Sequence, residues 1–329
     1  MRIIVYGVGA IGGTVAAALA LSGQEVIGIA RGAHLEAIQS NGLLLRTPEK
    51  TERAKFPCMS DPAEINFRPD DMILLTMKTQ DTLSALERLR AAGVSEQAIV
   101  CVQNGVTNER LALRLFPEVH GITVMMPAAL SAPGEIGAFS VPRLGIFDIG
   151  RHPGGSNAHD DRLAQALEAA NIAAFVSQDV MRSKYGKLLL NLSNILQAAF
   201  GLDADYKHLE ALLRAEAEAV YEAAGISWLD VGKADPRRAQ LMNQKPIAGL
   251  DRLGSSTTQS LSRGGGSIET DYLNGEIVLL GRLHGVPVPA NAYFTALGAR
   301  MASEGLKPGA IPLAEAEAQL SALGALPAR

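Results

Sequence analysis

Cysteine is scarce in this sequence. Cys58 and Cys101 are the two present, and neither has companions at metal-ligand spacing. That excludes a disulfide framework and a cysteine-based metal site. Reduced core thiols of a cytoplasmic protein are the expectation, with no metal. Clusters of one charge are lacking as well: the formal net charge is -4 and no Lys/Arg run stands out. Nucleic acid and an anionic membrane are therefore not expected as partners. Nowhere is there an uninterrupted apolar run of the roughly 20 residues that a membrane span needs. Internal repeats are lacking, and low complexity goes no further than short Gly or Ala clusters. The N-terminus imitates a targeting segment, because Arg2 precedes an apolar stretch to Leu21 with Ala18-Leu19-Ala20 near its end. Glycines interrupt that stretch where a nucleotide-binding turn needs them, and the turn is the reading adopted.

What is present is a globular composition. Hydrophobic residues are 47% and charged residues 19% of 329. Such a chain buries substantial cores and is long enough for two domains. Residues 1–6 read as a short buried parallel strand, 10–22 as an alanine-rich helix ended by Gly23, and 25–30 as a second strand. Together they make a βαβ unit. Strands at 72–77, 99–103 and 120–126 and a helix at 84–92 continue the alternation. Gly, Pro and β-branched residues over 128–149 predict hairpins. Residues 151–160 read as a surface loop, 161–170 as a helix and 173–177 as a last strand. Beyond Asp179 the strand signals largely vanish. Residues 184–199, 206–224, 236–242 and 268–284 read as helices, 255–266 as a loop or a frayed helix turn, and the tail after Gly305 as partly mobile. The expectation is an α/β Rossmann-like domain over 1–178 and an all-α domain over 179–329.

Gly7-Val8-Gly9-Ala10-Ile11-Gly12 follows the first strand and opens the first helix, and that context makes the glycine pattern specific. Gly7 permits the tight turn, Gly9 lets the backbone approach a pyrophosphate, and Gly12 lets helix pack on strand. The helix N-terminus offers unpaired N–H groups to phosphate. The second strand ends Ile29-Ala30-Arg31, with no acidic residue to hold ribose hydroxyls. Arg31 can instead face a 2′-phosphate with its charged fork, which favours NADPH/NADP. Lys78 and Asn104-Gly105 end two further strands at the edge where ligands gather; a loop lysine and a plain Asn-Gly turn are the bland alternatives.

In the second half, Lys187 and Asn191 stand at i and i+4 and Asn194 at i+7, on one face of a predicted helix whose other sides are leucine. A lysine and two amides there suit a site, or else a solvated polar stripe. Taken with the glycine turn, Lys78, Gln103-Asn104-Gly105, Lys187-Leu188-Leu189-Leu190-Asn191, Ser255-Ser256, Glu269-Thr270-Asp271-Tyr272-Leu273-Asn274-Gly275 and His284-Gly285-Val286-Pro287-Val288-Pro289, the chain resembles the ketopantoate reductase family over nearly its whole length. The resemblance implies an NADP-binding first domain, a helical substrate and catalytic domain, and a cleft between them. It implies NADPH-dependent reduction of 2-dehydropantoate to pantoate, in pantothenate and coenzyme A biosynthesis. The expected partner is a small 2-oxo acid, and a homodimer is compatible with this reading. Lys187 matches the family's proton-donating lysine and Glu269 its glutamate for the substrate hydroxyl. Asn191 and Ser256 match substrate contacts, and Asn104 and Lys78 match positions near the nicotinamide and its ribose. Glu216 matches a family acidic residue more weakly, and a solvated helix face is the preferred reading for it.

Two departures bear on the substrate. The family usually has a second Asn eight residues after the lysine; here that residue is Ile195, preceded by Asn194. At about 100° per residue, i+7 lies nearer the Lys187 meridian than i+8, so Asn194 is the expected substitute contact. The loop through Gly264-Gly265-Gly266 is also longer than usual. Alternatives are a related NADP-dependent 2-oxo acid or hydroxy acid oxidoreductase with another substrate, and a non-catalytic NADPH sensor, against which Lys187 and Glu269 argue.

Overall fold

A computed structural model describes residues 1–251, 254–264 and 267–326. Gly265 and Gly266, part of the expected loop, lie outside the described residues. The chain divides into two compact units, Met1–Lys184 with Asp230–Arg252, and Tyr185–Leu229 with Leu253–Arg329. The expected division after residue 178 differs from this in two ways. The structure divides the chain inside the helix Val180–Asn191, and it returns Asp230–Arg252 to the first unit.

The first unit is α/β and Rossmann-like. Its main sheet runs, in spatial order, Ala173–Val176, Ile146–Arg151, Val119–Met125, Ala98–Cys101, Met72–Leu75, Arg2–Tyr6, Glu25–Ile29 and Cys58–Met59. The strands from Val119–Met125 to Cys58–Met59 are mutually parallel, and Ile146–Arg151 pairs antiparallel with Val119–Met125. Short aliphatic strands buried on both faces are what a covered parallel sheet requires. In the first strand Ile3 and Val5 face the cluster built with the helix Ala10–Leu21, while Ile4 and Tyr6 face the one built with Leu86, Leu89 and Phe116. Arg2, which imitated a leader residue, sits in this strand 7% exposed and donates to both Asp71 carboxylate oxygens at 2.8 and 2.6 Å. The expected hairpin is Ala128–Ala132 with Glu135–Ala138, which join Leu43–Arg46 and Thr51–Ala54 in a second sheet. Asp230–Arg252 is tied to this unit by the strand Met242–Gln244, antiparallel to Ser140–Pro142. Arg237 also pairs with Asp148 at 2.6 Å and lies over the Phe175 ring.

The second unit is helical; among its described residues there is no strand. Lys207–Ala223 buries Leu209, Leu213, Ala217, Val220 and Tyr221, the one-sided spacing of an amphipathic helix. Three expectations are sharpened here. The helix expected over 184–199 is two, Val180–Asn191 and Asn194–Phe200. Side chains take the carbonyls that would carry it on: Ser193 Oγ donates to Leu190 O and Asn274 Nδ2 to Leu192 O, each at 3.2 Å. Of the two readings of 255–266, a loop or a frayed helix turn, the structure takes the helical one with the short helix Ser256–Ser262, whose Ser255 hydroxyl caps Thr258 N–H. Within the tail expected to be partly mobile, the helix Leu313–Ala322 is anchored by Ala316 and Leu320, both 0% exposed. No helix among the described residues is long and apolar enough to cross a membrane.

Candidate functional site

In the first unit, the predicted cofactor residues follow the carboxyl ends of four neighbouring parallel strands, where the chain order reverses about Arg2–Tyr6 and ligands of such sheets collect. Gly7 has φ +101°, and a Cβ there would stand 2.8 Å from the Met77 amide nitrogen, so the turn demands glycine. A Cβ on Gly12 would collide with the Thr76 hydroxyl and the Gly7 carbonyl. On Gly9 it would meet nothing nearer than the Gly7 carbonyl at 3.9 Å, which leaves this backbone face open. Helix Ala10–Leu21 starts from Gly9 with no side-chain cap and no acid in its first turn. Val8 is buried, and Ala10 and Ile11 are half-buried beneath the turn. An open backbone face beside uncapped helical N–H groups fits a dinucleotide pyrophosphate. Arg31 is exposed at the start of Gly32–Asn41, and its guanidinium makes no hydrogen bond or ion pair to the described residues.

Thr76, which sequence reasoning missed, buttresses the turn by donating to the carbonyls of Tyr6 at 2.9 Å and Gly7 at 2.8 Å. Two residues on, half-buried Lys78 precedes the short 3-10 turn Thr79–Asp81. Asn104, also half-buried, precedes Gly105, whose φ is +82°. A buried polar chain joins these two turns. Gln103 Nε2 donates to Thr82 Oγ1 at 2.7 Å and Thr82 Oγ1 to Asn108 Oδ1 at 2.8 Å. Asn108 Nδ2 donates to Thr79 Oγ1 and to Asn104 O, both at 3.2 Å. Below them Lys184 forms a buried ion pair with Glu109. The neighbouring Cys101 thiol is pushed well up by burial, reinforced by the Glu109 carboxylate, and burial pushes Cys58 up to about 12. Both thiols are free and protonated at neutral pH, so neither supplies a nucleophile.

In the second unit, Lys187 and Asn191 lie one turn apart on the helix Val180–Asn191, Lys187 half-buried and Asn191 5% exposed. Asn191 Oδ1 is buried with no hydrogen-bond partner among the described residues. Asn194 does not continue that helical face; it is the first residue of the next helix, and Ile195 beside it is core, 1% exposed. The break draws the other predicted segments in. Asn274 reaches Leu192 O, bringing the Glu269–Asn274 stretch to the end of the Lys187 helix, with Glu269 half-buried. Ser255 Oγ donates to Asn194 O at 3.2 Å, which sets Ser256, exposed at the first position of its helix, beside Asn194. Glu216 is elsewhere. Its carboxylate accepts from Ala290 N at 2.8 Å and Asn291 N at 2.9 Å, so it caps the helix Pro289–Ser303 and is not on a solvated face.

Comparison with known proteins places these segments in context. A family profile described as ketopantoate reductase PanE/ApbA matches residues 3–154, and its C-terminal counterpart matches 179–301. A 2-dehydropantoate 2-reductase of Mesorhizobium japonicum is 30% identical, aligned over 92% of this chain and 98% of that protein. One from Pyrococcus horikoshii is 28% identical over 90% and 96%. Among solved structures, a PanE/ApbA family ketopantoate reductase from Ralstonia eutropha superposes with TM-score 0.77 at 31% identity, covering 93% of this chain and 99% of that one. D-mandelate dehydrogenase, in a ternary structure with NADH, shares the fold at TM-score 0.76 and 23% identity.

Proposed function

Because the chain belongs to the ketopantoate reductase family, we propose that it reduces 2-dehydropantoate to pantoate with NADPH, in the cytoplasm, with Lys187 as proton donor. The observation that carries the site assignment is Asn191 Oδ1, a buried acceptor left without a partner one turn from Lys187. An unmade buried hydrogen bond costs about 1–3 kcal/mol, and a donor brought to the site when its ligands bind recovers it. When bound, NADPH supplies the hydride that adds to the ketone carbon. The backbone of residues 7–12 would cradle its pyrophosphate, Arg31 would face the 2′-phosphate, and Lys78 and Asn104 would hold the nicotinamide end. The Lys187 ammonium donates a hydrogen bond to the ketone oxygen and passes its proton there as negative charge develops; the product is a secondary alcohol and the amine regains its proton from water. Glu269 accepts from the substrate hydroxyl, and Asn191, Asn194 and Ser256 orient the rest of the acid.

A second reading, reduction of another small 2-oxo acid, is favoured by one observation: Ile195 is core and lends no amide to the site. The test is NADPH oxidation followed by absorbance against ketopantoate and 2-oxo acids lacking its hydroxyl. Ketopantoate should be preferred, and Lys187→Ala should cut kcat about 100- to 10,000-fold with NADPH affinity nearly unchanged. Preference for another oxo acid would move the substrate assignment. Near-normal single-turnover hydride transfer in the variant would remove Lys187 from the chemistry.

A further inference from the structure

We propose that Lys184 is a positioning residue that aims Asn104 at the nicotinamide end of the cofactor; the proposal rests on the NADPH reading above. Lys184 is 1% exposed, and its ammonium is fully committed. It pairs with Glu109, itself 0% exposed, and donates to Gln103 O at 3.0 Å and Ile122 O at 3.4 Å. A lysine so enclosed does not reach substrate, so it is no alternative proton donor to Lys187.

Stability alone does not account for such a pair, because buried ion pairs are often matched or bettered by apolar residues of similar size. What the pair holds is specific. The Gln103 carbonyl and the Asn104 amide nitrogen belong to one planar peptide unit, so fixing Gln103 O fixes the plane on the N-terminal side of Asn104. The plane on its other side is held at Asn104 O by Asn108 Nδ2. Asn108 and Glu109 are consecutive in the helix Asn108–Leu113, so the carboxylate that pairs with Lys184 and the amide that holds Asn104 O move as one. Gly121 leaves the space: a Cβ there would approach Glu109 Oε1 to 3.1 Å. Asn104 is thus clamped by two buried polar side chains, Lys184 from residues far along the chain and Asn108 from nearby.

The test is a binding cycle read by NADPH fluorescence, with 2′-phospho-ADP-ribose as a ligand lacking nicotinamide. Lys184→Met leaves Glu109 without a counter-charge and risks misfolding, so the pair Lys184→Met/Glu109→Gln is used beside it. The neutralised pair should weaken NADPH roughly tenfold, within the range of coupling between neighbouring groups, and leave 2′-phospho-ADP-ribose within about twofold. In an Asn104→Ala background the same pair should add nothing further. Equal weakening of both ligands, additivity with Asn104→Ala, or unchanged NADPH affinity in the folded variant would each overturn the proposal. A wild-type protein that binds NADPH but reduces no 2-oxo acid overturns the substrate reading and leaves this test intact, since it is read by binding alone. A wild type that does not bind NADPH overturns both.

Discussion

The guanidinium of Arg31 stands in solvent beyond the strand Glu25–Ile29, with no acidic residue closing that strand. A carboxylate there would repel a 2′-phosphate, whereas an arginine meets it with a charge-assisted fork worth about 1.5–3 kcal/mol. Arg31→Ala should therefore weaken NADPH roughly 10- to 150-fold and leave NADH nearly unaffected. Titration of both cofactors by fluorescence checks this, and equal losses would unseat Arg31. The placement of this residue and of the glycines is legible in the sequence because it depends on chain neighbours: a strand end, a turn, a helix start. Thr76 and Lys184 are not. Thr76 finds Gly7 69 residues away, and Lys184 finds Gln103 81 residues away. No spacing rule foretells a contact made by the closing of a sheet. Glu216 shows the opposite error, where a helical position that reads as solvated is claimed by the N-terminus of a helix far ahead in the chain.

At the scale of elements, that cap has consequences. Helix Pro289–Ser303 begins with proline, whose missing N–H is harmless at the first position, and its next two amides donate to Glu216. Asn291 Nδ2 adds a third bond at 2.8 Å, and Asn291 Oδ1 accepts from Asn274 Nδ2. Glu216→Ala removes a carboxylate from a helix N-terminus and orphans these donors, at a cost of about 1–3 kcal/mol. The urea midpoint should fall accordingly, while the KM for ketopantoate stays within about twofold if Glu216 lies outside the site. A large KM change with unchanged stability would return it to the substrate machinery. Helix Val180–Asn191 teaches a related lesson. Apolar periodicity runs through Leu192 and Ser193 unbroken, yet the helix stops, because the groups that end it are a serine hydroxyl and an asparagine 82 residues away. The face Lys187–Asn191 was readable because it lies within one continuous helix. Extending that face to Asn194 failed because periodicity carries no record of a broken ladder. Most of the main sheet was legible from its buried aliphatic runs, whereas Leu43–Arg46, four residues long, and the largely polar Thr51–Ala54 gave no such signal.

For the molecule as a whole, three histidines and two carboxylates give stability a common direction with pH on the acid side of neutrality. His34, His152 and His159 are each pushed below the ordinary histidine value of 6.5, in every case chiefly by burial; Lys184 works the same way on His152, and Arg162 on His159. Burial tends to raise Glu118, but hydrogen bonding from Asn157 and the nearby His120 and Arg151 outweigh it and hold the carboxyl low. Asp235 is likewise held low against burial by its hydrogen bonds to Arg237, the residue that also grips Asp148 and so keeps Asp230–Arg252 on the first unit. A group whose folded value lies below its unfolded value contributes stability above the unfolded value and loses it as pH falls through the folded one. The histidines therefore begin to act near pH 6.5, where the unfolded chain starts to bind protons that the folded one refuses. The two carboxylates follow at lower pH. Both sets make the unfolded state the better proton binder, so stability must rise with pH across this window. Urea midpoints should fall steadily from pH 7.5 to pH 5.5, before the carboxylates titrate, and His152→Gln with His159→Gln should flatten that slope. A midpoint that holds or climbs on acidification would mean that these imidazoles keep access to water in the folded protein, and that burial does not govern their protonation.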